Sequence, residues 1–132
     1  MTRINVVPVE ELTNLHLLGE YKEATRVFGY VRKAQEEGVN KYNFNSKYKV
    51  PDNYTLGTGH AIFFYNRLGY VLRRYTELAV EMGRRGYKAS PVGYTDLVAG
   101  IRPEWFGEYT PTECALKINR ERIEKRLSGD KT

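Results

Sequence analysis

The residues able to do chemistry in this chain are few, and most of them share one stripe. At about 100° per residue along a helix, His16, Glu23, Arg26 and Lys33 fall within roughly a quarter-turn of arc, with Lys22 alongside. One carboxylate therefore stands among four groups able to carry positive charge. Two readings follow from spacing alone. One is a solvated helix face laced with ion pairs. The other is a chemical site built on that carboxylate and the cations around it.

The second reading needs a nucleophile. No Ser-His-Asp arrangement is evident. The two histidines, His16 and His60, and the single cysteine, Cys114, do not have metal-ligand spacing, so no metal site is expected. The run Gly57-Thr58-Gly59-His60 lacks the Lys-Ser/Thr of a P-loop and reads as a turn and a helix start. What remains is the chain terminus. Thr2 is small, so removal of Met1 is expected to leave its α-amine exposed, with a reference pKa of about 7.7 to 8.0. Arg3, and a second arginine such as Arg26, would lower that value, because like charges disfavour protonation. A neutral amine can attack an electrophilic sugar carbon and form an imine. Retention of Met1 would displace the amine by about 3.8 Å, enough to disable it.

Three helical blocks must position these groups. The first covers residues 9–37, with Pro8, Glu10 and Glu11 suiting a first turn and Thr13-Asn14 offering a second possible start. Leu17, Ala24, Val27, Phe28, Val31 and Ala34 form its apolar face, and Gly38 is its stop. A long loop over residues 39–57 follows, with Pro51-Asp52-Asn53 as a turn. The second helix is expected over residues 58–85, with a stripe from Ala61 to Met82, ended by Gly86. Residues 94–99 read as a short helical turn. The third helix runs to about Leu127, with Thr110 as cap, Pro111 at its first position, Glu113 following, and Ala115, Ile118 and Ile123 inward. An extended piece is possible at residues 4–7. The expected fold is three helices around one core.

At 132 residues the chain is long enough for one core, and a single domain is expected over residues 1–132. No apolar run approaches the roughly 18 to 20 residues of a membrane span. The N-terminus reads as free of a secretory signal. A lone Cys114 suits a reducing cytosol and is expected to fill the core. Lys and Arg outnumber Asp and Glu by 21 to 16, giving a net charge of +5. Basic clusters interleave with Tyr21, Tyr30, Tyr42, Tyr48, Tyr75 and Tyr87. That composition fits a nucleic-acid surface, or equally a solvated surface with half-buried tyrosines.

Met1-Thr2-Arg3-Ile4-Asn5, His16, Glu20-Tyr21, Glu23, Arg26-Val27-Phe28-Gly29 and Val31-Arg32-Lys33 carry a resemblance, continued by Leu56-Gly57, Gly59-His60, Phe63-Phe64-Tyr65, Leu68, Glu77-Leu78 and Arg85-Gly86. The chain resembles the pyrimidine-dimer DNA glycosylase/abasic-site lyase family, over residues 1–123. The resemblance implies an all-α, compact three-helix single domain with the N-terminal segment threaded between helices. It implies an enzyme without metal or cofactor, acting as a monomer on damaged double-stranded DNA in the cytosol, at no membrane. Thr2 would be the nucleophile and Glu23 its carboxylate partner, in an N-glycosylase step followed by β-elimination. Arg3, His16, Lys22, Arg26 and Lys33 would bind the DNA. Some positions depart from a well-studied member: Lys22 for arginine, Leu15 for glutamine, Thr25 for proline, and no tyrosine-rich tail up to Thr132. These bear on lesion choice more than on the lyase step. Alternatives are a lyase or glycosylase for other damaged bases, and a non-catalytic DNA-binding helical module.

Overall fold

The computed structural model describes residues 3–127. Among them are six α-helices, α1 (Asn14–Glu36), α2 (Phe44–Lys47), α3 (His60–Phe63), α4 (Leu68–Arg84), α5 (Tyr94–Val98) and α6 (Glu113–Leu127), with 3₁₀ turns at Val9–Glu11 and Pro103–Trp105. No described residue lies in a strand, so the fold is all-α. Three helices are long, as the sequence pattern predicts. No described helix is long and apolar enough to cross a membrane.

α1 begins at the second of its two possible starts. The Thr13 hydroxyl accepts from the His16 amide at 3.1 Å and so satisfies one of the four orphan N–H groups of the first turn. Residues 9–11 make a 3₁₀ turn instead, tied down by Arg85, whose guanidinium donates to Glu81, to Asn14 Oδ1 and to the Val9 carbonyl. α1 stops where Gly38 takes φ 91°, with Val39 N–H donating to Ala34 O and Gly38 N–H to Gln35 O. This pair of bonds closes the last carbonyls of the helix, and it requires the left-handed backbone that glycine tolerates. All six apolar positions predicted for α1 are buried, packed against α4.

The expected second helix is broken. α3 ends at Phe63, and α4 starts only at Leu68. The apolar stripe continues through the break, which is why periodicity reads across it. Tertiary packing decides otherwise. Residues 106–108 cross the start of α4 so closely that a Cβ on Gly69 would stand 2.8 Å from Gly107 O, and one on Gly107 2.4 Å from Asn66 O. Arg67 seals the gap: its Nη1 donates to Phe63 O at 2.6 Å, and its guanidinium lies 4.0 Å from the Phe63 ring centroid.

α6 starts two residues later than expected. Thr112, not Thr110, is the cap, accepting from the Ala115 amide at 3.0 Å. Ala115 and Ile123 are inward as predicted, Ile118 is half-buried, and a polar residue, Asn119, is fully buried between them. Cys114 is exposed rather than core. It shares the outer side of α6 with the exposed Lys117 and Glu121, while Ala115 beside it is buried. The loop over residues 39–57 contains the single-turn helix α2, whose Phe44 packs on Trp105 and Tyr65.

Candidate active site around the N-terminal segment

Residues 4–7 are buried but lie in neither a helix nor a strand. Buried backbone groups need partners, and here side chains from distant elements supply them. Ile4 N–H donates to His60 Nε2 at 2.8 Å, and Ile4 O accepts from the Tyr54 hydroxyl at 2.8 Å. Val6 and Val7 N–H both donate to Asn119 Oδ1 of α6, at 2.7 and 3.1 Å. Val7 O accepts from Arg74 of α4. The Asn5 side chain bridges α6 and α1: it accepts from Asn119 Nδ2 at 2.7 Å and donates to Glu20 Oε1 at 3.0 Å. Glu20 in turn receives Arg74 Nε at 2.8 Å and Nη2 at 3.0 Å, with both side chains buried. The segment is thus tied to α1, α4 and α6 as a bonded wedge.

At its upstream end Arg3 donates from Nε to Leu56 O at 2.7 Å. Arg3 also lines two adjoining cavities of about 280 and 340 Å³. The first is bounded by Asn5, by His16 and Gly19 of α1, and by Arg122 and Arg126 of α6. Leu15 projects at its rim, 80% exposed. The second is bounded further by Glu121 and Lys125. The arginines shape each other's titration. Burial, then the charges of Arg126 and Arg3, holds the Arg122 guanidinium below its ordinary value. His16 is also lowered, first by partial burial and then by Arg122 and Arg126. It shares a 2.6 Å hydrogen bond with the Thr13 hydroxyl, so the cap of α1 also orients this ring. A neutral imidazole beside three guanidinium groups serves as a hydrogen-bonding group more than as a charge.

Glu23 lies one helical turn beyond Gly19 and is 8% exposed. Its Oε1 accepts from Arg26 Nη1 at 3.1 Å. Of the residues picked out by the sequence pattern, the fold brings Arg3 and His16 together at one cavity and joins Glu23 to Arg26. Lys22 and Lys33 are exposed on α1 and are not among the described lining residues. Thr2 lies outside the described residues. Arg122 and Arg126 were not singled out by the sequence pattern, although their spacing of four on a helix places them on one face. No cluster of metal-binding side chains exists among the described residues.

A family model described as pyrimidine dimer DNA glycosylase matches residues 1–92. This chain belongs to the pyrimidine dimer DNA glycosylase family. Its substrate class is accordingly DNA. The match takes in the anchored segment, α1 and α4, including Arg3, His16, Glu23, His60 and Arg74. In this glycosylase the cavity beside Arg3 is completed by α6, beyond the matched stretch, through Arg122 and Arg126. The tyrosines divide by position. Tyr75 is buried and stacks on Tyr21 with ring centroids 5.0 Å apart, and Tyr48 packs on Phe44 and Tyr65. Tyr30 and Tyr42 remain exposed. Of the eleven tyrosines of this glycosylase, three are buried, five are half-buried against the core and three are exposed.

Proposed function

We propose that the chain is a dimer-specific DNA glycosylase that also cleaves the resulting abasic site, working as a single-domain monomer on duplex DNA. The Thr2 α-amine is the nucleophile and Glu23 its partner. The amine attacks C1′ of the damaged nucleotide, and the C1′–N bond breaks, its electron pair leaving with the base, which is protonated. The sugar ring opens to a protonated imine. Glu23 stabilises that cation. The imine acidifies the C2′ proton, and loss of this proton to a base such as the Glu23 carboxylate expels the 3′ phosphate through cleavage of the C3′–O bond. Water then hydrolyses the imine and frees the amine. Arg3, His16, Lys22, Arg26 and Lys33 hold the phosphates and the distorted duplex, with Arg122 and Arg126 added on the strength of the cavity they share with Arg3. Extrusion of a base from the stack accompanies the reaction.

One observation carries the reading. The residue that follows Thr2 lines a cavity of three arginines, next to a buried segment bonded on both sides, and α1, which lines that cavity with His16 and Gly19, carries Glu23 one turn further on. Cations around an α-amine keep it neutral and reactive. The test is a nicking assay on a duplex with one cyclobutane dimer, run beside the same duplex with an abasic site. Wild type is expected to cut both, and Glu23→Gln to bind both and cut neither. Cutting by Glu23→Gln at the wild-type rate, or of neither duplex by wild type, would defeat the proposal.

A further inference from the structure

We propose that His60 is a positioning residue for the N-terminal nucleophile, acting by fixing the backbone of Ile4. The inference rests on the reading of Thr2 as nucleophile. Its geometry stands by itself. His60 Nδ1 lies 2.7 Å from Thr55 O. A carbonyl only accepts, so Nδ1 carries the hydrogen and Nε2 presents a lone pair. That lone pair takes the Ile4 N–H at 2.8 Å. The ring has one tautomer and one orientation, because the other tautomer would set two N–H groups against each other and a lone pair against a carbonyl.

The surroundings fix the ring further. His60 opens α3 directly after Gly59, which takes φ 89° and lies so close to Pro51 that a Cβ would stand 2.7 Å from its Cγ. Tyr54 and Phe64 meet the imidazole edge-on, with centroids 5.5 and 5.6 Å away. Tyr54 also holds the Ile4 carbonyl, so the loop and α3 grip both backbone groups of one residue. The charges facing His60 come from Arg3 on the segment and Arg122 on α6, and with burial they keep the ring neutral.

Ile4 is two residues from the amine. The Tyr54 bond to the Ile4 carbonyl and the Asn119 bonds to the Val6 and Val7 amides hold the rest of the segment. Loss of the His60 bond would therefore leave the segment docked but release the Ile4 amide, on the side of that residue that leads to the amine. A reacting atom displaced by about 1 Å can cost on the order of 100-fold in rate. The effect belongs to the chemical step and not to DNA affinity, since His60 is buried and faces the protein.

The test compares wild type, His60→Gln and His60→Leu as full chains. Glutamine can offer an oxygen near the Nε2 position, and leucine cannot. Two readings are taken: hydrogen exchange of the Ile4 amide, and the rate of borohydride trapping on an abasic duplex at saturating protein, with duplex affinity measured separately. The expected result is an Ile4 amide protected in wild type and His60→Gln but exchanging at least about tenfold faster in His60→Leu. Trapping by His60→Leu falls about 10- to 100-fold, with unchanged affinity, and His60→Gln recovers most of it. A folded His60→Leu protein that keeps Ile4 protection, or traps at the wild-type rate, overturns the proposal. So does equal loss in both variants alongside a collapse of thermal stability, which would mark a merely structural ring. Absence of trapping by wild type would instead overturn the amine mechanism, and the exchange reading alone would then decide whether His60 holds Ile4.

Discussion

The two histidines show how far burial separates residues of one type. His16 sits at a cavity rim, partly buried, and keeps a hydrogen bond to the cap of α1. His60 is buried, and desolvation, with Arg3 and Arg122 in opposition to any added charge, brings it from 6.5 down to about 4. The unfolded chain therefore binds a proton between these two values that the native state refuses. Stability contributed in full above pH 6.5 is expected to fall as pH drops toward 4 and to level off below it. Thermal denaturation across pH 7 to 4 should show this decline, and His60→Gln should flatten it. Equal slopes for the two proteins would contradict the assignment. In sequence, Thr2 and Glu23 stand out as candidates because so few other groups can do chemistry. His60 is not, since its partners Ile4 and Thr55 are a remote backbone amide and a carbonyl, for which sequence spacing has no signature.

At the level of elements, α1 and α6 and the caps of Thr13 and Gly38 follow from local chemistry, and local chemistry is what a sequence displays. The break between α3 and α4 does not, because it is imposed by residues 106–108, some forty positions away. The N-terminal segment shows the same limit. Its residues look like a possible strand, but its partners are Asn119, Arg74, Tyr54 and His60. The Glu20–Arg74 pair beneath it is buried on both sides. Glu20→Leu would leave the Arg74 charge unpaired in the interior and is expected to cost about 3 to 5 kcal/mol in urea denaturation. Adding Arg74→Met should recover much of that loss, since no charge then remains buried, although the bond to Val7 is sacrificed. A single variant as mild as the double would show that the pair is not desolvated as described.

Over the whole molecule, a net charge of +5 says little until it is distributed. The sequence draws attention to basic runs interleaved with tyrosine, yet of those six rings Tyr75 is buried, Tyr21, Tyr48 and Tyr87 are half-buried, and Tyr30 and Tyr42 alone are exposed. The cavities instead gather Arg3 with Arg122 and Arg126 from opposite ends of the chain. If these two α6 arginines contact phosphates, each alanine replacement should lower the slope of log affinity against log salt by about 0.9. Titration of a dimer-containing duplex over a range of salt concentrations measures this, and an unchanged slope in both variants would remove α6 from the DNA interface.

The chemistry assigned to the N-terminus is tested most directly by borohydride reduction of the protein–DNA adduct followed by peptide mapping. An abasic duplex and a dimer-containing duplex should each give a single adduct on the α-amine of Thr2 in protein lacking Met1. An adduct on a lysine side chain, or none from protein with a free Thr2, would contradict the account.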